Sequence, residues 1–316
     1  MTPLPRVSVI IAVYNEERFL QESVESVLAQ SFQDFELIIT DDGSTDATPT
    51  IARALAEHDP QRIRVLRAEH NRGKQFAQND ALAICRGELI AWLDGDDVML
   101  ERKLERQVRA LDADPSAAGC THDAEVFEES SGRVLGRFSQ LANGAPLRSG
   151  GVELWFDPTY RMLPSATMVR SSLCPPSGFD LRLTYTNDWL FDIEVFRHGR
   201  CIALDEVLVR YRRHEANLST RGETSGATLE ESLMAMAIVL ARYPQLRRGA
   251  RTISAAVLLG EARRRARAGD WRAASRYLTA AVGVGGASGL LGVASAMARP
   301  SRSTPAAPEW RSPTPP

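Results

Sequence analysis

The chain has 316 residues, of which 44% are hydrophobic and 25% charged, and a formal net charge of −2. This is the composition of an ordinary soluble globular protein, long enough for one large α/β domain with an appendage or for two modest domains. The charge is unevenly placed: residues 241–316 hold 13 Lys and Arg against 3 Asp and Glu, whereas the first 240 hold 25 against 37. An acidic body of this kind argues against nucleic acid as the main partner.

Val7 to Val13 is a near-continuous β-branched run, as expected of a strand buried on both faces of a parallel sheet. Leu20, Val24, Val27 and Leu28 then recur on one helical face, with Glu16 and Glu17 placed where a first helical turn favours acids. Phe35 to Thr40 reads as a second strand, Thr48 to Leu55 as a helix, Arg62 to Leu66 as a third strand and Asn79 to Ile84 as a helix. Leu89 to Leu93 is a fourth strand that ends abruptly in Asp94, Asp96 and Asp97. Leu104, Val108 and Leu111 share a helical face, after which signals weaken through Gly132 to Gly151 and turn mixed over residues 152–215. Further on, Thr228 to Leu240 is a helix striped by Leu229, Leu233, Met236 and Leu240, and Ile253 to Arg267 with Trp271 to Val282 form a helical hairpin joined at Gly269-Asp270. Disorder is expected from Arg299 to Pro316, which is rich in Pro, Ser and Arg.

This alternation implies a doubly wound, mostly parallel sheet flanked by helices, whose ligands lie beyond the carboxyl ends of the strands. Tyr14-Asn15-Glu16, Asp41-Asp42 and Asp94 to Asp97 would then converge on one crevice. Clustered carboxylates repel one another unless a cation lies between them, and a row of hard oxygen ligands favours Mg²⁺ or Mn²⁺ over zinc. A dinucleotide-binding reading fails because no G-x-G-x-x-G follows the first strand, and a P-loop reading fails for want of a Walker A lysine motif. The cysteines at 85, 120, 174 and 201 lack C-x-x-C spacing and read as reduced thiols. Met1 to Arg6 is too short for the charged and apolar regions of a signal peptide, so a cytoplasmic location is expected.

Val7 to Glu16, Asp41 to Asp46, Asn71-Arg72-Gly73 with Asn79, and Leu93 to Asp97 resemble, in order, the signatures of family-2 glycosyltransferases; the resemblance covers residues 5–215. It implies a GT-A fold and a nucleotide-sugar donor, with inversion at the anomeric carbon. In the family the position of Tyr14 lies against the nucleotide base, which an acid at the position of Asp42 reads; a uracil ring N–H is the expected partner, so a UDP-sugar is the favoured donor. Asp94 is placed near the ribose and Asp96 on a Mn²⁺ or Mg²⁺ ion, with His214, from the closing motif Val209 to His214, completing the metal site or meeting the diphosphate. Ala12, Tyr14, Glu16, Asp42, Asn71, Lys74, Asp94 and Arg212 are the expected donor-binding residues. Asp97 either supports the cluster or caps the next helix.

Thr186-Asn187-Asp188-Trp189 resembles the family's acceptor side, with Asn187 where the commoner pattern has Glu, and Asp188 is the expected general base. Neither transmembrane helices nor a Q-x-x-R-W motif is present, which disfavours a processive synthase. The implied reaction is non-processive, metal-dependent transfer of a single sugar to a carbohydrate or lipid-linked acceptor, as in bacterial cell-envelope or exopolysaccharide assembly. A nucleotidyltransferase-like protein or a non-catalytic nucleotide-sugar-binding module are the alternatives. The expected organisation is a catalytic domain over 1–220, a helical appendage over 225–298 and a disordered tail over 299–316. Arg263-Arg264-Arg265 and Arg267 leave peripheral contact with anionic lipid at the cytoplasmic face open.

Overall fold

The computed structural model describes residues 4–215, 217 and 227–297; for 286–297 the backbone alone is described. The junction near 220 and the tail over 299–316 therefore lie outside the described residues. The chain runs β1 (Val7–Val13), α1 (Leu20–Leu28), β2 (Phe35–Asp41), α2 (Thr48–His58), β3 (Ile63–Arg67), α3 (Lys74–Leu82), β4 (Leu89–Trp92), β5 (Val98–Met99) and α4 (Lys103–Ala113). It continues through β6 (Gly119–Glu128), β7 (Val134–Arg137), α5 (Phe138–Asn143), β8 (Met168–Arg170), α6 (Asn187–Phe196) and β9 (Cys201–Arg213), then α7 (Ala227–Arg242), α8 (Arg247–Arg267) and α9 (Trp271–Met297).

Among the described residues nine strands form one sheet, in the order β3-β2-β1-β4-β8-β6-β9-β5, with β7 added to β6. The first four strands pair in parallel, as does β6 with the long β9, while β8 runs antiparallel between β4 and β6. This is the α/β sheet read from the sequence, with an antiparallel insertion that the short β8 gave little pattern to announce.

Alternation along each strand splits the core between the two faces of the sheet. On one face Val7, Val9, Ile11 and Val13 meet Leu20 and Val24 of α1 and Leu104 and Leu111 of α4. On the other, Ile10, Ile38 and Ile90 share a cluster with Leu190 and Phe191 of α6, Met236 and Val239 of α7, and Ala250 and Ile253 of α8. The C-terminal helices thus begin as the outer layer of the same core. Gly249 lies so close to Phe156 that a Cβ would stand 2.5 Å from its ring. On α7 the buried residues are Ala235, Met236, Ile238 and Val239, so the expected stripe is rotated and Leu229, Leu233 and Leu240 lie half-buried at its edge.

Other differences have local causes. Glu16 and Glu17 precede α1 rather than opening it, because the Phe19 and Leu20 amides bond to the Glu16 carbonyl in a turn before the helix. The third helix starts at Lys74 instead of Asn79; its buried face is Gln75, Ala77, Gln78 and Ala81, which carries no apolar periodicity to read. All four cysteines are free thiols. Among the described residues no helix is long and apolar enough to cross a membrane.

Candidate active-site crevice

A crevice of about 630 Å³ opens beyond the carboxyl ends of β1, β2 and β4. Ala12, Tyr14, Glu16, Asp42, Asn71, Lys74, Asp94, Asp96, Asp188 and His214 all line it. The chain leaves β1 through Asn15, which takes a left-handed φ of 57°, a conformation asparagine tolerates better than most residues. Its N–H donates to Ser44 Oγ at 2.9 Å and its side-chain oxygen accepts the Thr45 N–H at 2.9 Å, tying the loops after β1 and β2 together.

Asp42 is buried, and its carboxylate accepts the N–H groups of Arg72, at 3.1 Å, and Gly73, at 2.7 Å. Burial raises its proton affinity above the ordinary carboxylate value despite these bonds. Arg72 turns its guanidinium to Asp80 and lies over the Phe76 ring. Asn79 bridges α3 to the segment before α6, donating to the Phe179 carbonyl at 3.0 Å and accepting the Phe179 N–H at 2.7 Å.

The acidic loop after β4 is held from below by Ser23, whose hydroxyl reaches the Gly95 carbonyl at 2.8 Å and the Asp97 carbonyl at 2.7 Å. Gly95 admits no side chain there, since a Cβ would stand 2.4 Å from Val13 Cγ1. Asp94 takes Lys74 Nζ at 2.6 Å, while its own N–H donates to Ser165 Oγ at 3.0 Å. Burial works against the Lys74 charge, but Asp94, then Asp188 and Asp96, hold the ammonium above the usual lysine range. Asp96 Oδ2 lies 2.8 Å from His214 Nε2 and accepts Asn217 Nδ2 at 3.0 Å.

One oxygen from each of Asp94, Asp96 and Asp97 lies within 4.8 Å of the others. The field of this cluster reaches Glu16, where burial and then Asp96, Asp94 and Asp46 push the carboxyl up to about 8. Three carboxylates this close repel one another unless a cation lies between them, and their hard oxygen donors fit Mg²⁺ or Mn²⁺.

One choice left open by the sequence is decided here and one expectation is corrected. Asp97 caps no helix: it is fully buried, its carboxylate accepts the Arg212 N–H at 3.0 Å, and α4 begins only at Lys103. Arg212 does not line the crevice. It is buried beneath the acidic loop, where Nε donates to the Asp96 carbonyl at 2.7 Å and the guanidinium pairs with Glu22 at 2.5 Å and lies over Phe19 and Phe127. Its fork is spent on the loop's underside because β9 carries it there.

Asp188 stands in the first turn of α6, its own carboxylate accepting the Trp189 N–H at 2.7 Å. Burial raises its carboxyl above the ordinary value, opposed by the Lys74 charge. Asn187 is buried, donating to Gln78 Oε1 at 2.9 Å and accepting the Asp188 N–H at 2.8 Å. An amide supplies both a donor and an acceptor there, which a carboxylate does not. Sequence reasoning missed Ser165 and Gln78, whose contacts are long-range, and left Asn217 without a role, although its three-residue spacing from His214 was visible.

Comparisons with known proteins bear on the family and the fold. The family model described as Glycosyl transferase family 2 matches residues 8–173. EpsE of Bacillus subtilis (strain 168) is 44% identical over 172 residues, which cover 52% of this chain and 62% of EpsE. The chain therefore spans less than two thirds of that relative. Among solved structures, S. aureus TarS 1-349 in complex with UDP-GlcNAc aligns with a TM-score of 0.60 at 20% identity, covering 80% of this chain and 72% of that one. The mannosyltransferase PcManGT from Pyrobaculum calidifontis, in complex with GDP-Man and Mn²⁺, aligns with a TM-score of 0.61 at 20% identity over 94% of this chain and 81% of its own. At such identities the likeness shows the fold, a GT-A type α/β architecture.

Proposed function

The chain belongs to glycosyl transferase family 2, and from that premise we propose that it transfers a single sugar, non-processively and with inversion, from a UDP-sugar to a carbohydrate or lipid-linked acceptor. The observation that carries this reading is the convergence of Asp42, Lys74, Asp94, Asp96 and Asp188 on one crevice. The setting favoured is assembly of a bacterial cell envelope or exopolysaccharide, as the family resemblance implies.

On this reading Asp42, already fixed by two backbone amides, accepts the ring N–H of the base, and exposed Tyr14 offers an aromatic face to it. Asp94 faces the ribose while Lys74 keeps its negative charge compensated. Asp96, with Asp94 and His214 beside it, would hold a divalent cation, which would supply charge against the diphosphate and the departing nucleotide. Asp188 accepts the proton of the acceptor hydroxyl as that oxygen attacks the anomeric carbon from the face opposite the leaving nucleotide. Its raised proton affinity suits it to hold that proton.

Asp188→Asn tests the assignment. Removing a general base costs about 10²- to 10⁴-fold in turnover, and nucleotide release should fall by that factor while the donor's affinity is kept. Near-normal turnover removes Asp188 from the role.

Peripheral membrane contact belongs to the same reading. The outer face of α9 exposes Trp271, Leu278 and Val282 at helical spacing beside Arg272 and Arg276, a pattern that suits an anionic lipid surface. Co-sedimentation with phosphatidylglycerol vesicles is expected, and binding that ignores lipid charge would count against it.

A further inference from the structure

We propose that Glu231, which lies outside the matched region, is a positioning residue for the acceptor side of the crevice; the proposal rests on Asp188 being the proton acceptor. A single carboxylate oxygen, Glu231 Oε2, accepts three consecutive backbone N–H groups, from Thr184 at 2.9 Å, Tyr185 at 2.6 Å and Thr186 at 3.1 Å. Successive amides aimed at one point form an anion-binding concavity that only a charged acceptor fills well. Thr184 and Tyr185 line the crevice with their other side, and Thr186 immediately precedes α6, which carries Asp188 in its first turn. Glu231 therefore sets both the wall that an acceptor meets and the point from which the helix of the base departs.

The helix that presents Glu231 is itself fixed. Ala235, Met236, Ile238 and Val239 of α7 are buried in the core shared with Leu190, Phe191 and Ile193 of α6. At the far end of α7, Arg242 pairs with Glu194 of α6 at 2.6 Å and approaches Asp180 at 3.7 Å. The two helices are thus pinned near both ends of α6, at 184–186 and at Glu194. A displacement of the reacting groups by about 1 Å costs on the order of a hundredfold in rate, so a loop held by one distant carboxylate is a sensitive control point.

The test uses the full chain with the nucleotide sugar that gives the largest metal-dependent thermal shift, and water as the acceptor. Glu231→Gln keeps the size and removes the charge; Glu231→Ala removes both. Hydrogen exchange at the amides of 184–186 should accelerate in both variants, and turnover should fall about tenfold or more while the donor-induced shift is unchanged. In an Asp188→Asn background the same substitution should cost no more than about twofold, because residues that act through one another are not additive. Glu231→Gln turnover within about twofold of wild type, or an equal further loss in the Asp188→Asn background, overturns the proposal. Where Asp188→Asn itself turns over normally, it is the base reading that fails, and this proposal with it.

Discussion

The two sides of the crevice are built from different materials. On the donor side the carboxylates sit at strand ends and are gripped by backbone or by immediate neighbours: Asp42 by the amides of Arg72 and Gly73, Asp97 by the amide of Arg212, and Asp94 by Lys74. On the acceptor side Asp188 rides on a helix whose lead-in is gripped by a side chain from a later helix, Glu231. Strand ends in a parallel sheet are fixed by ladder bonds on both sides, so the donor half is rigid and its motifs are compact in sequence. The half proposed to take the acceptor depends instead on packing between layers, with α6 and α7 sharing one core.

Lesions on the donor side should therefore weaken donor binding, and lesions on the acceptor side should spare it. The largest effect is expected from Asp96→Ala, which removes the cluster's central acceptor and frees His214 and Asn217. Loss of several kcal/mol of charge stabilisation corresponds to about 10²- to 10⁴-fold in turnover, and the metal-dependent part of the donor's thermal shift should vanish with it. A metal-dependent shift that survives would move the cation elsewhere. Next comes Asp42→Asn, which trades a carboxylate that accepts two backbone N–H groups for an amide with half the acceptor capacity. A lost hydrogen bond to a charged group is worth about 1.5–3 kcal/mol, so calorimetric donor affinity should weaken ten- to about a hundredfold, with the sugar-transfer step little changed. An unchanged affinity would show that base recognition lies away from Asp42.

The smallest effect at neutral pH is the pH dependence of turnover. Asp188 must be ionised to accept a proton, and burial raises its proton affinity while the Lys74 charge lowers it. Turnover should fall on acidification with a midpoint above the ordinary aspartate value of about 3.9, and Lys74→Met should move that midpoint to higher pH. A midpoint at or below the ordinary value, or a shift downward in Lys74→Met, contradicts the electrostatic account of the base.

Legibility in the sequence followed the same division. That Asp42, Asp94 and Asp96 converge could be read because each lies just beyond a short strand-like run, and such runs predict both a buried strand and the end at which its ligands gather, whereas their separate roles came only from the family resemblance. Asp188 was reached only through the resemblance of Thr186-Asn187-Asp188-Trp189 to the family's acceptor side, since a lone acid in a first helical turn reads equally well as a structural one. Arg212 was misplaced because a strand's register decides which way a side chain points, and the bulges where β6 pairs β9 are invisible in the local sequence. Asp97 was ambiguous because the N–H that its carboxylate accepts, that of Arg212, is far away in the sequence. The start of α3 was missed because its buried face is made of Gln and Ala. Nothing near Glu231 hints at three amides from residues 184–186; only the folded chain brings them together.

The central claim is that this crevice holds a nucleotide sugar in a metal-dependent way. A thermal-shift screen of UDP-, dTDP- and GDP-sugars, each with and without Mn²⁺, tests it most directly. The account predicts a rise of about 5 °C with a UDP-sugar plus Mn²⁺ at a hundredfold excess over Kd, and little without the metal. A shift of the same size from Mn²⁺ alone, with no nucleotide sugar adding to it, would contradict the account.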